Sequence, residues 1–305
     1  METLKNHLCG SAACDQSTVS QNSIPYTPSG AYDQAICLTY LIIRGVSETL
    51  LVTLYMRAKD AKSNHPFLND QKAAEIISRM DYDFSAFDRV WMSYYGVLAR
   101  AKLMDREVKR FMADNPGCVV VSVGCGLDTR FDRVDDGQVR WYDLDVPEVI
   151  DLRQQFLAES ERVTCISGSA FDPSWTEKVE HEGRRLLILS EGVMMYWEEA
   201  EVQKFLSILS EGFDELEAHF DLLYKGLVHR SSRHDVLKRM QAEFKWGVTD
   251  GSEVVRLAPA WKQLDCINFT DEMRHMLPGW KKLLVPFFYL TNNRLGKYAY
   301  RKYTD

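Results

Sequence analysis

Gly124 and Gly126, and the acids Asp143 and Asp145 about 20 residues beyond, are the residues whose types and spacing could do chemistry. They lie in one stretch, Val119–Asp145, which reads VVVSVGCGLDTRFDRVDDGQVRWYDLD. Glycines after a β-branched run let the backbone approach a ligand that any Cβ would strike. An acid ending a second strand accepts hydrogen bonds from ribose hydroxyls, and Asp145 is assigned that role. Asp143 and Asp145 point the same way in an extended segment, so Asp143 is expected to cap the helix that opens near Pro147. Strand, glycine turn, helix, strand and acid together hold the adenosine end of a nucleotide-like cofactor. A further carboxylate, Glu191, follows the apolar run Leu186–Leu189 and precedes Gly192. At the end of a buried strand it needs a partner, because an unpaired buried charge is costly.

The turn itself bears on which cofactor. A dinucleotide fingerprint carries a third glycine where this chain has Thr129, and Asp128 is a poor neighbour for the two negative charges of a pyrophosphate. Asp128 is a tolerable neighbour for a sulfonium and an ammonium, the cations of S-adenosylmethionine (SAM). The turn favours SAM and leaves NAD(P) open.

The elements that position these residues follow from pattern. Residues 1–30 are polar and read as a mobile tail. Residues 31–116 read as a helical cap, with helices over Asp33–Arg57, Asn69–Met80 and Asp88–Ala113, closed by the breaker Asn115-Pro116-Gly117. From 117 to 305 strands and helices alternate, as in a mostly parallel sheet covered on both faces. Strands are expected at Val119–Val123, Val139–Tyr142, Val163–Ser167, Leu186–Ser190 and His219–Tyr224, and helices at Pro147–Glu159 and Glu198–Glu211. Leu264–Phe269 and Leu283–Leu290 are candidates for closing antiparallel strands. An open parallel sheet binds ligands at the carboxyl ends of its strands, where all three signals fall.

Composition narrows the class. The 305 residues are 46% hydrophobic, enough for a large core, and the net charge of −7 with no basic run argues against nucleic-acid binding. Seven scattered cysteines without a CxxC read as reduced thiols. No stretch approaches the roughly 18 apolar residues of a membrane span, nor does the N-terminus read as a signal peptide. A soluble cytoplasmic protein is expected. His229 and His234 are five apart, which does not match a helical zinc pair, and no metal site is assigned.

GCGLDTR at Gly124–Arg130, WYDLDVPEVIDLR at Trp141–Arg153 and SEGVMMY at Ser190–Tyr196 together resemble the leucine carboxyl methyltransferase family. The segments at Glu48–Ala58, Asp81–Ser85 and Ala99–Asp105 are similar to its bacterial branch of tetracenomycin-type polyketide O-methyltransferases. The resemblance implies a class I, Rossmann-like α/β sheet of seven strands, mostly parallel with the last antiparallel. It also implies an N-terminal helical cap and a substrate-covering insertion at about 225–262. By motif, Gly124 and Gly126 would lie beneath the methionine portion of SAM, Asp145 would hold the ribose, and Arg100 would pair with the SAM carboxylate. Ser169 and Ala170 would stand near the adenine, where relatives carry an acid followed by Leu, and Glu191 with Gly192 would face the amino or sulfonium side.

The expected reaction is transfer of the SAM methyl group to a small-molecule acceptor, leaving S-adenosylhomocysteine. A carboxylate acceptor is already ionised at pH 7 and needs only alignment, whereas a phenol would want a base. Tyr224 and His234 are the candidates for one. Tyr224, Phe244 and Trp246 suit an apolar acceptor, and Lys225, Arg230 and Arg233 could hold an anion. A phenol, a thiol or a protein C-terminal carboxylate are the alternative acceptors. A nucleotide-dependent oxidoreductase and a non-catalytic SAM-binding protein are the readings from other classes. The oligomeric state is left open.

Overall fold

A computed structural model describes residues 48–229 and 243–302. The expected tail at 1–30, the first part of the Asp33–Arg57 helix, and His234, Arg230 and Arg233 lie outside the described residues.

Three helices precede the sheet: α1 (Glu48–Ala61), α2 (Gln71–Ser78) and α3 (Trp91–Asp114). On α1 the spacing of Leu51, Leu54 and Ala58 makes one apolar stripe, which packs on Ala73, Ile76 and Ile77 of α2 and on Leu127 and Leu152 of the core. Asp70 caps α2 by accepting the Ala73 N–H at 2.9 Å.

The sheet takes β1 (Val119–Val123), β2 (Arg140–Asp145), β3 (Val163–Ser167), β4 (Leu186–Ser190), β5 (Glu215–Leu222), β6 (Trp261–Asn268) and β7 (Arg294–Arg301) in the order β3-β2-β1-β4-β5-β7-β6. β7 runs antiparallel to both neighbours and the other pairings are parallel. β1 and β4 are buried at every residue, as β-branched and leucine-rich runs in a two-sided sheet must be. Their alternate side chains feed separate cores. Val120, Leu187 and Leu189 meet Val108, Phe111 and Met112 of α3. Val119, Val121 and Ile188 share the opposite core with Phe205, Leu206 and Leu209 of α6 (Glu199–Gly212). Between the strands lie α4 (Arg130–Val134) and α5 (Pro147–Gln154), and later α7 (Ser252–Leu257), α8 (Thr270–Met276) and α9 (Val285–Thr291).

One expectation fails. Leu283–Leu290 is no strand: it spans the end of a 3-10 turn and most of α9, and the closing strand is β7. The run is unbroken in apolar residues because the helix exposes half of them: Leu283, Phe287 and Leu290 are 59–80% exposed while Phe288 is buried. Pro286 fits the first turn of a helix, where no N–H is needed. The other expected elements are present with shifted ends, the largest shift being α5, which stops at Gln154.

Register sets up the site. Val123 stands level with Leu144 and Ser190, Asp145 with Ser167, and Ser190 with Phe220. The next row at the carboxyl edge therefore brings together Gly124, Asp145, Ser167, Glu191 and Asp221.

Candidate cofactor site

Gly124 and Gly126 have φ of 69° and 50°, the left-handed region that a side chain disfavours. A Cβ on Gly124 would sit 2.4 Å from Val193, and one on Gly126 would sit 2.5 Å from Leu50 of α1. The turn is thus closed over by the cap and by the segment after β4. Asp145 reaches back to it, accepting the Gly126 N–H at 2.8 Å and the Val146 N–H at 2.8 Å. Each oxygen keeps a second lone pair that can accept a further hydrogen bond. Burial pushes the Asp145 carboxyl up, against the pull of those two N–H donors.

Asp143 does something other than cap a helix. It is buried, takes the Trp141 indole N–H at 3.0 Å, and pairs with Arg153 at 2.7 Å. Arg153 also donates to the carbonyls of Gly126 and Asp128, so this pair braces the turn from below. Helix α5 starts at Val146 with no side-chain cap. At the end of β3, Ser169 is exposed and its hydroxyl accepts the Phe171 N–H at 3.2 Å, while Ala170 packs on the core.

Glu191 and Arg100, assigned to opposite charges of one cofactor, form an ion pair with each other at 2.7 Å. Arg100 also donates to Asp221 Oδ2 at 2.8 Å, which accepts the Gly192 N–H at 3.0 Å. The sequence reading missed Asp221, although an acid between Phe220 and Leu222 in an apolar strand is the same signal that singled out Glu191. Arg130 ties Glu191 (2.5 Å) to Asp105 (2.7 Å) and Asp128 (2.6 Å). Arg133 ties Asp105 and Asp128 to Asp70, and Arg57 joins Asp70 at 3.0 Å. One chain of ion pairs therefore runs beneath the edge from α1 to β5. Burial opposes the charges of Asp70, Asp128 and Glu191, but the guanidinia prevail and hold all three carboxyls below their ordinary range. The charge of Asp128 is spent inside the protein. Its weight as a sign of a cationic ligand is correspondingly small.

Tyr196 lies at the same place, its hydroxyl bonded to Thr49 of α1 and pushed up to about 12, chiefly by burial. Trp175 is buried and packs in the core. Tyr224 is half-buried with its ring over Gly226. His229 is exposed and 3.1 Å from Glu243. Phe244 and Trp246 are buried with Met195 and the sheet core, so they serve packing. Among the described residues no helix is long and apolar enough to cross a membrane.

The chain is similar to known proteins. The leucine carboxyl methyltransferase profile matches residues 51–210. The tetracenomycin polyketide synthesis O-methyltransferase TcmP of Streptomyces glaucescens is 32% identical over 236 residues, covering 75% of this chain and 87% of that protein. The S-adenosyl-L-methionine-dependent methyltransferase dpfgK of Gibberella zeae is 30% identical over 241 residues, covering 72% and 81%. A DUF574 family protein of Streptomyces avermitilis shares the fold, with a TM-score of 0.53 at 13% identity over 85% of this chain and 99% of its own. With its seven-stranded sheet, glycine turn and strand-end acids, the chain belongs to the leucine carboxyl methyltransferase family and is a SAM-dependent methyltransferase.

Proposed function

We propose that SAM lies along the carboxyl edge of β3, β2, β1 and β4, and that the acceptor is a small-molecule carboxylate. The observation that carries this reading is the single row of Gly124, Asp145, Glu191 and Asp221 set by the sheet register. In it Asp145 takes the ribose diol, Ser169 and Ala170 flank the adenine, and the backbone of Gly124, Gly126 and Gly192 lies under the methionine portion. Arg100 and Glu191 exchange their mutual contact for the cofactor's carboxylate and ammonium. The chemistry supplied by bound SAM is an electrophilic methyl group, which passes to an acceptor oxygen as the S–C electron pair goes to sulfur, leaving S-adenosylhomocysteine. The chain contributes alignment, which can be worth roughly 7–11 kcal/mol, and exclusion of water by Leu50 of the cap and Val193 of the segment after β4.

A carboxylate acceptor is supported by how the described groups at this edge are engaged. The Tyr196 hydroxyl is held too high to serve as a base near pH 7, and Glu191 is bound by two arginines. The relationship to TcmP, an O-methyltransferase of polyketide synthesis, supports a polyketide-like acceptor presented to the cap and to the segment after β5. In this reading the described parts of 225–262 would join α1 as that cover.

Calorimetry is the test. Wild-type protein should bind SAM and S-adenosylhomocysteine, and Asp145→Ala and Glu191→Ala should each weaken SAM at least about 100-fold, as loss of buried charged hydrogen bonds implies. Wild-type affinity in both variants would refute the site. A SAM-consumption assay over pools of carboxylic acids, phenols and thiols, read by mass spectrometry, should return a methyl ester. With that acceptor kcat should stay flat from pH 7 to 9, whereas a rate rising through that range would mark a phenol and a base.

A further inference from the structure

Counted along the ion-pair chain, four guanidinia (Arg57, Arg100, Arg130 and Arg133) face five carboxylates (Asp70, Asp105, Asp128, Glu191 and Asp221). The surplus negative charge has a definite location. Asp221 is 0% exposed, and among the described residues it shares its only guanidinium with Glu191 and leaves Oδ1 without a hydrogen-bond partner. Each of the other four acids, Asp70, Asp105, Asp128 and Glu191, meets two arginines. A buried carboxylate so placed raises the energy of the ligand-free site. A cation nearby would relieve it.

SAM carries a net charge of one positive at neutral pH, and S-adenosylhomocysteine, after the sulfonium has become a thioether, carries none. We propose that Asp221 is a positioning residue that holds Arg100 and the Gly192 amide in place and whose charge makes the site prefer the sulfonium cofactor over its neutral product. This rests on the cofactor reading above. Asp221 touches neither ligand: it acts through Arg100, Gly192 and the field of the site. Its effect differs for charged and uncharged ligands, which ordinary structural support would not do. Product leaves from a site that no longer gains from its charge.

The groups facing Asp221 are Arg100 from α3, Glu191 and Tyr196 from the segment after β4, and the Gly192 N–H. Burial pushes the Asp221 carboxyl up to about 6, and Arg100 pulls it back. A cationic ligand favours the ionised form, so SAM should bind more tightly as pH rises from 5 to 7.5, and S-adenosylhomocysteine should change little.

Asp221→Asn keeps the shape and an oxygen acceptor for Arg100 and Gly192 while deleting the charge. By calorimetry at pH 7.5 it should weaken SAM about tenfold, the scale of one unit charge in a partly shielded site. S-adenosylhomocysteine should move less than about twofold, and the pH dependence of SAM binding should flatten. Equal losses for the two ligands, or an unchanged SAM affinity, would overturn the role of Asp221 while leaving the site itself intact. Failure of the wild-type protein to bind either ligand would instead sink the cofactor reading. A melting curve guards the comparison: removing a strained charge should leave Asp221→Asn at least as stable as wild type at pH 7.5.

Discussion

Arg130→Met is expected to cost about 3–5 kcal/mol of folding stability, the scale of breaking a buried ion pair by removing one partner. Arg130 is 1% exposed and bridges three carboxylates from three places: Asp105 on α3, Asp128 in the glycine turn and Glu191 beyond β4. Methionine replaces the aliphatic stem without the guanidinium and leaves the three acids with Arg133 and Arg100 alone. The pH dependence distinguishes this from lost packing. Asp70, Asp128 and Glu191 are held low, so their contribution is present above the unfolded carboxylate range near 4 and is lost as pH falls through their folded values. In the variant Asp128 and Glu191 take up protons nearer the ordinary value. The stability deficit measured by urea denaturation should therefore be largest near pH 7 and shrink below about pH 4. A deficit constant from pH 3 to 8 would mean that packing, and not charge, is what Arg130 supplies.

That prediction could not have come from the sequence, and the reason is instructive. The sheet was legible because its parallel strands are written as short apolar runs, most plainly β1 and β4, which are buried at every residue. The glycine turn was legible because its chemistry is local: two glycines, a strand before and an acid at a fixed distance after. The ion-pair chain is not local. Arg57, Arg100, Arg130 and Arg133 stand in three helices, and nothing in their neighbours says which acid each will meet. Asp143 and Asp145 show the same limit at closer range. Alternation puts them on one side, yet Arg153 captures one and the turn's own N–H groups face the other.

The misread segment at Leu283–Leu290 has a different cause. Its run of apolar residues matches a buried strand, and only the exposure of Leu283, Phe287 and Leu290 shows why a helix can carry it. Asp221 was missed for want of a flanking glycine, not for want of signal. Once β4 and β5 are known to be level, an acid one residue past Phe220 must stand beside Glu191.

Gly126→Ala is expected to weaken SAM binding at least about 30-fold with a loss of about 1–2 kcal/mol in stability from the left-handed backbone alone. Three demands meet at this residue. Its φ is 50°, its N–H is donated to Asp145, and its carbonyl accepts from Arg153. An added Cβ would meet the Leu50 methyl at 2.5 Å, so the cap must shift or the turn must relax, and relaxation moves Asp145 away from the place proposed for the ribose. The steric and conformational parts can be separated because Leu50 belongs to α1 and the strain belongs to the turn. Leu50→Ala in the Gly126→Ala background should recover part of the stability and little of the affinity, giving an interaction energy of about 0.5–3 kcal/mol in a double-mutant cycle on stability. Full recovery of SAM binding in the double variant would assign the effect to the cap alone. Unchanged binding in Gly126→Ala would show that the cofactor does not rest on this turn.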